Sequence, residues 1–294
     1  PKFVFSWKSF RELFGFGFYM FLTNLLNSFS TQIQGLLIGK KYDSAKMGYY
    51  SKANAVEKIA SHSISAVMGQ VTYPLYAEVQ DDKARMANMI KRLTQAIAYI
   101  TFPAMFILLL LAKPLFIFLY SDRWVNSVPY FQVLCIAGLG ACLISVNTQP
   151  IAAIGKSKVM FVWTVIKRAI GVSAIVLGLH LWGMKGLLGG VIFNMWFSYF
   201  VNISLISKYI GYKWKEQLLD LLPIGVAAAL TAAVCYGVGL LCGLSMYPDA
   251  IVKFVIYVAI YMAWSFLFKP ESFKEFISVI PQKFRLWEKL GIKL

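Results

Sequence analysis

Charge is scarce in this chain of 294 residues: Asp, Glu, Lys and Arg make up 14% of it, where soluble proteins carry about 25%. With 59% hydrophobic residues beside that shortage, an ordinary soluble domain is excluded and the fold class is an all-α polytopic membrane protein. Acids are scarcer than bases, 13 against 29, for a net charge of +16. No nucleic-acid partner follows, because the bases are scattered among short loops between apolar runs and form no basic domain. There are four cysteines. Cys135 and Cys142 are seven apart, as are Cys235 and Cys242, and on a helix that spacing is about 10 Å, too far for a disulfide within either pair. They read as packing residues. No cleavable signal peptide is visible, since the opening PKFVFSWKSFRELF is basic and amphipathic and lacks a small-residue cleavage site. A chain that opens on Pro1 is expected to be part of a longer protein. No Walker motif, HExxH, GxSxG or DxD-like metal pair occurs, and the outer loops are short. ATP hydrolysis, a metal site, a cofactor and a catalytic residue are therefore not expected, and the chain does not read as an enzyme.

What is present is a series of apolar windows long enough to cross a bilayer. Eight are expected, near 16–38, 46–75, 91–112, 126–149, 158–181, 186–208, 219–243 and 249–268, with a kink at Pro103 and an apolar extension, LFIFLY, after Pro114. An even count puts both ends on one side. Eighteen Lys and Arg fall on the side of the ends and seven on the other, so both ends are expected in the cytoplasm. The organisation expected is a cytoplasmic amphipathic linker (1–15), a six-span lobe (16–212), a cytoplasmic linker with two further spans (213–268), and an amphipathic tail on the leaflet (269–294).

The four remaining bases lie inside spans: Lys52 and Lys58 in the second, Lys167 and Arg168 in the fifth. A lysine or arginine at the centre of a spanning helix costs about 2.5–3.5 kcal/mol on insertion scales, so such residues are binding-site candidates. One in-span acid, Glu57, faces them, leaving a surplus that an anionic ligand or water would relieve. One reading of Glu57 is that it neutralises Lys58 or a lysine on a neighbouring helix, which holds the bundle together but leaves the other in-span bases unpaired. Lys167 either snorkels to the headgroups or binds substrate. Arg168 suits bidentate contact with a phosphate. On the first span Thr23, Asn24, Asn27, Ser28, Thr31 and Gln34 recur at three- and four-residue intervals, a stripe that serves helix–helix hydrogen bonding or lines water. His62, one turn from Lys58, is a candidate for proton transfer. His180 reads as interfacial. Gly186–Gly190 and Gly239–Gly243 satisfy GxxxG, a packing pattern.

Several segments resemble a known family. MGYYSKANAVEKIASHSISAVMGQVTYPLYAEVQDD, LFIFLYSDRWVNSVPYFQVL, QPIAAIGKSK followed by VIKR, and IGYKWKEQLLDLLP are together similar to stretches of the Wzx-type polysaccharide flippases, in the WzxC-like branch of the MOP exporter superfamily. The resemblance runs from about Trp7 to Pro223. It implies the second six-helix lobe of such a transporter plus two extra helices, with a first lobe of the same protein as partner. It further implies export of an undecaprenyl-diphosphate-linked oligosaccharide for surface polysaccharide or O-antigen across a bacterial inner membrane by alternating access, alongside membrane lipids and polysaccharide assembly proteins. On that reading Lys58 and Arg168 meet the diphosphate with Lys52 and Lys167 in support. Asn24, Asn27, Thr31 and Gln34 meet sugar hydroxyls or water, and Glu57, with His62, couples to H+ or Na+. The alternatives are a cation-coupled drug exporter of the same superfamily and a polymerase or ligase of polysaccharide assembly.

Overall fold

The computed structural model describes residues 7–268 and residue 273, leaving aside the side chains of residues 8, 9, 12, 13, 31 and 62–74. In order these residues form α1 (Trp7–Lys41), α2 (Ser44–Glu78), α3 (Lys83–Leu110), α4 (Ala112–Tyr120), a 3-10 turn (Asp122–Ser127), α5 (Val128–Ala153), α6 (Ser157–Tyr209), α7 (Trp214–Cys242) and α8 (Met246–Phe268). Local chemistry sets the boundaries. Asp43 caps α2 by accepting from the Lys46 amide at 2.9 Å, and Asp82 caps α3 from the Arg85 amide at 3.0 Å. The LFIFLY extension is a helix of its own, separated from α3 at Leu111, while α3 runs through Pro103 without interruption. Each expected window is occupied by a helix or, in α6, by one arm of it.

α6 reverses at Trp182 and Gly183, whose φ of 61° and ψ of −136° lie outside what an L side chain adopts readily. Its first arm (157–181) and second arm (184–209) pack back to back through small residues. Gly178 lies against the backbone of Gly186, Gly190 against Ile175, and Gly171 against the Asn194 side chain. The GxxxG pattern at Gly186 is thus the contact that closes the hairpin. The second pattern divides: Gly239 lies against Lys253 of α8, whereas Gly243 ends α7 in a left-handed conformation. Lys253 sits inside α8 and pairs with Asp249 at 2.6 Å.

Side-chain contacts give the helix directions. Gly138 and Cys142 of α5 meet Glu57 and Ser61 of α2 in the same order, so those helices run parallel. Gly140 meets Met195, and Thr148 meets Asn202, so the second arm of α6 runs with them. Asn27 meets Arg168 and Lys41 meets Leu179, so α1 runs parallel to the first arm. α5 is the central post, packed on α2, α3 and α6. A second apolar cluster, including Tyr99, Phe102, Ile224, Ala228, Tyr257 and Tyr261, fastens α7 and α8 to the flank of α3. There Tyr99 donates to Ser265 at 2.5 Å and Tyr261 to the Tyr99 carbonyl at 3.1 Å. The expected tail lies outside the described residues except for Phe273, which is buried against Tyr99 and Phe266.

By length and composition five of the described helices are apolar enough to cross a membrane: α3, α5 with the 3-10 turn, α6, α7 and α8. α6 supplies two passes because it turns back. α1 and α2 are 35 residues each, about 52 Å at 1.5 Å per residue. They are long enough to span, and their polar residues keep them below the apolar threshold.

The hairpin packing predicts a sharp asymmetry. Gly186→Leu should abolish folded protein in the membrane fraction, because even a Cβ there would meet the Gly178 carbonyl, a backbone atom that cannot yield. Gly189→Leu, with open space around it, should leave yield and thermal unfolding unchanged. Equal behaviour of the two in a detergent unfolding assay would contradict this packing.

Candidate functional site

A cavity of about 630 Å³ opens between α1, α2, α5 and the second arm of α6. Its polar wall comes from α2, where Asn54, Glu57, Lys58 and Ser61 recur at helical spacing, with Gln34 of α1 beside them. Its apolar wall is Leu134, Ala137 and Ala141 of α5 with Val191 and Met195 of α6. Gln34 is held in place by Tyr50, whose hydroxyl donates to its Oε1 at 2.6 Å in a buried contact. Lys58 is exposed to the cavity, while Glu57 is 7% exposed and turned into the wall. The Glu57 carboxylate hydrogen-bonds Ser61 and sits near the Lys58 charge, but its Oε1 has no partner. Gly138 makes the room: a Cβ at that position would lie 2.5 Å from Oε1 and 3.3 Å from the Met105 sulfur.

The other predicted site residues lie elsewhere. Lys52 is on a different face of α2, about 240° round the helix from Lys58 at 100° per residue, and its ammonium rests on the rings of Tyr120 at 4.8 Å and Trp124 at 5.4 Å. Lys167 and Arg168 are neighbours in sequence, so their side chains leave the helix in different directions. Lys167 turns into the hairpin and donates to Asn202 Oδ1 at 2.7 Å, and Asn202 donates on to Thr148 at 3.2 Å. Arg168 turns toward α1 and donates to Asn27 Oδ1 at 2.9 Å. Asn24 is exposed. The side chains of Thr31 and His62 lie outside the described residues.

The bases expected on one wall are therefore distributed over tiers. Gln34 and Asn27 are seven residues apart, about 10 Å along α1, and Gly138 and Thr148 are about 15 Å apart along α5 at 1.5 Å per residue. The upper tier holds Gln34, Tyr50, Glu57, Lys58 and Ser61. The lower tier holds Asn27 with Arg168, and Lys167 with Asn202 and Thr148. Continuous with the lower tier, Gln217 of α7 is 1% exposed, donates to Asn147 Oδ1 at 3.0 Å and accepts from Tyr199. Asn147, Thr148 and Asn202 were detectable in the sequence as polar residues inside apolar spans. Gln217 was hidden in a stretch read as a linker, and nothing in the sequence marks Gly138 as the place where a carboxylate fits.

Comparison with known proteins agrees with this architecture. The family profile described as "Polysaccharide biosynthesis protein" matches residues 1–129. The chain is 26% identical over 249 residues to the lipopolysaccharide biosynthesis protein WzxC of Escherichia coli (strain K12), covering 82% of this chain and 49% of that protein. It is 24% identical over 163 residues to the teichuronic acid biosynthesis protein TuaB of Bacillus subtilis (strain 168), covering 55% of this chain and 34% of that protein. A putative O-antigen transporter of Shigella flexneri is 26% identical over 157 residues, covering 53% and 37%. Among solved structures, the lipid II flippase MurJ in an inward closed conformation superposes with a TM-score of 0.67 at 16% identity, covering 91% of this chain and 56% of that one. The last likeness shows the fold. The matches bear out the resemblance to the Wzx-type polysaccharide flippases, and the protein is a multi-pass bacterial membrane protein. The chain spans at most about half the length of these curated relatives.

The lower tier is open to a direct test. Asn202→Leu leaves the buried Lys167 ammonium without its acceptor and should destabilise the protein by about 2–3 kcal/mol. Adding Lys167→Met should recover most of that loss. A coupling in the double-mutant cycle well above the roughly 0.6 kcal/mol of ordinary interhelical hydrogen bonds is expected from membrane unfolding measurements.

Proposed function

We propose that this chain is the six-span lobe (16–212) with two additional spans (213–268) of an exporter that flips an undecaprenyl-diphosphate-linked oligosaccharide across the bacterial inner membrane. The observation that carries the proposal is the cavity within the helix bundle, floored by a charged pair, Glu57 and Lys58, at a depth where charge is expensive. A cavity of about 630 Å³ accommodates part of an oligosaccharide and not a whole chain. The names of relatives, which include lipopolysaccharide and teichuronic acid biosynthesis and an O-antigen transporter, agree with such a substrate. The chain binds and translocates without catalysing a covalent change.

In this reading Lys58 is the cation that meets the diphosphate in the cavity. Arg168 and Asn27 form a second station nearer the cytoplasmic end, which an exported substrate meets before the cavity as the lobes rock in alternating access. Asn54 and Gln34 meet sugar hydroxyls or water. Glu57 is the coupling group: burial with one oxygen unpartnered makes its charge costly, so uptake of H+ or Na+ there relieves the cost and ties ion movement to substrate release. Both ends of the chain face the cytoplasm by the distribution of loop bases, which places the α6 turn and the α1–α2 loop outside. The partners are the lipid-linked substrate, membrane lipids, a preceding lobe of the same protein and the polysaccharide assembly machinery.

The Glu57 carboxyl on the cavity wall also suits a cationic drug, which makes a cation-coupled drug exporter the second reading. Lys58 beside it opposes that reading, since a cation entering the cavity would meet a like charge.

Export of the lipid-linked oligosaccharide by the full-length protein separates the two. Lys58→Ala should reduce flipping about tenfold or more, and Glu57→Gln should make transport insensitive to the ion gradient while the protein still inserts and binds substrate. Near-normal flipping by Lys58→Ala would remove the diphosphate assignment, and efflux of cationic dyes lost in Glu57→Gln would favour the drug exporter.

A further inference from the structure

Gln34 is where α1 meets the cavity, and its amide is not free to turn. The residue is 9% exposed and lines the cavity wall. Tyr50, 2% exposed, reaches it from α2, with 2.6 Å between the phenol oxygen and Oε1. The phenol stands in apolar company, since Tyr50 belongs to the same buried cluster as Ile38 of α1 and Ala53 and Val56 of α2. Among the described residues neither side chain has another hydrogen-bond partner.

A phenol and a carboxamide can meet in two ways. With the hydroxyl donating to Oε1, its hydrogen is used and the amide nitrogen is left for the cavity. With the amide flipped, the hydroxyl accepts from Nε2 and its own hydrogen is orphaned in an apolar core, at the full cost of desolvating a donor. The first arrangement is the one held. Gln34 Nε2 is not among the buried polar atoms that lack a partner, as suits a group that opens onto the cavity. The Gln34 carbonyl is therefore occupied by Tyr50, and the end of the amide turned to the cavity is the one that only donates. α1 and α2 run antiparallel, because each runs parallel to a different arm of α6. Side chains tilt toward their own helix N-terminus, so Gln34 and Lys58 lean toward each other from facing walls. On α2, Tyr50, Asn54 and Lys58 follow at intervals of four along one face.

We propose that Tyr50 is a positioning residue that sets Gln34 as a hydrogen-bond donor to the diphosphate, with Lys58 on one phosphoryl group and the Gln34 N–H donors on an oxygen of the other. Ionised phosphoryl oxygens only accept, so an amide locked with its nitrogen toward them is the matching partner. A sugar hydroxyl both donates and accepts, is served by either end of an amide and needs no such lock. The proposal rests on the lipid-linked substrate reading of this cavity and deepens it, moving Gln34 from the sugar to the diphosphate. It gives the cavity a preference for two phosphoryl groups over one.

The test measures binding of undecaprenyl diphosphate and undecaprenyl phosphate to the full-length protein in nanodiscs. The unmodified protein should prefer the diphosphate. Gln34→Met, which keeps the length and removes the amide, should weaken the diphosphate about tenfold and the monophosphate little, so that the preference is lost. Tyr50→Phe keeps the ring, loses only the hydroxyl and should weaken the diphosphate about fivefold. The two substitutions together should bind no more weakly than Gln34→Met alone, because Tyr50 acts through Gln34, whereas a merely structural role for Tyr50 would add its own loss. Additive losses, or diphosphate binding unchanged in Tyr50→Phe while Lys58→Ala still abolishes it, would overturn the positioning role and leave the diphosphate reading standing. No diphosphate binding by the unmodified protein, or undiminished binding by Lys58→Ala, would remove that reading and this proposal with it.

Discussion

Inside a bilayer a charge must be given something to interact with, and in this bundle each in-span charge has a different answer. Lys52 has aromatic faces, Lys167 has the Asn202 amide, Arg168 has the Asn27 amide, and Lys58 has the cavity. None of the first three has a carboxylate among the described residues. Neutral dipoles and ring quadrupoles lower the cost of a buried cation but do not cancel its field. The cavity wall itself carries one acid and one base, Glu57 and Lys58.

Holding charges in this way demands a frame that does not give, and the frame is built from small residues. Glycines at 138, 171, 178, 186 and 190 let helix backbones or polar groups approach where any larger side chain would meet them. Without water to drive association, close packing and interhelical hydrogen bonds are what hold such helices together. α7 belongs to this frame as well. Gln217 reaches into the lobe to Asn147 and Tyr199, and at the same end Tyr212 donates to Asp220, which pairs with Lys91 of α3 at 3.2 Å. The Tyr212 phenol, in the loop between α6 and α7, is held well above its usual pKa by burial and by that carboxylate, so it remains a donor at any physiological pH.

The helices were legible because bilayer thickness imposes their length and hydrocarbon imposes their composition. α6 was legible as two spans because Trp182 and Gly183 lie between two apolar windows, and the structure turns the chain back there. Glu57 and Lys58 were readable as site candidates because they are charges inside a span. Lys52 could have been separated from Lys58 by helical phase, but the grouping of Lys167 and Arg168 with them could not be judged, since phase on one helix says nothing about which neighbour lies opposite. Lys167 and Arg168 show this most clearly: adjacent in sequence, they serve different interfaces. Gly138 and Gln217 were invisible for the complementary reason, one having no side chain to notice and the other lying where a linker was expected.

α1 connects the two tiers. Through Gln34 it reaches the cavity and Tyr50 of α2, and through Asn27 it holds Arg168 of α6. It packs chiefly on the first arm of α6 and only lightly on α2, with Phe14, Phe18, Phe21 and Phe29 left exposed along its other side. A helix held along one side can shift at less cost in buried contacts than the central post α5. Displacing it as a rigid body would break the Gln34–Tyr50 and Asn27–Arg168 hydrogen bonds together. The cavity cannot then widen along α1 without also releasing the guanidinium about 10 Å away. Exposure of the upper tier and availability of the lower one are thereby linked through a single helix.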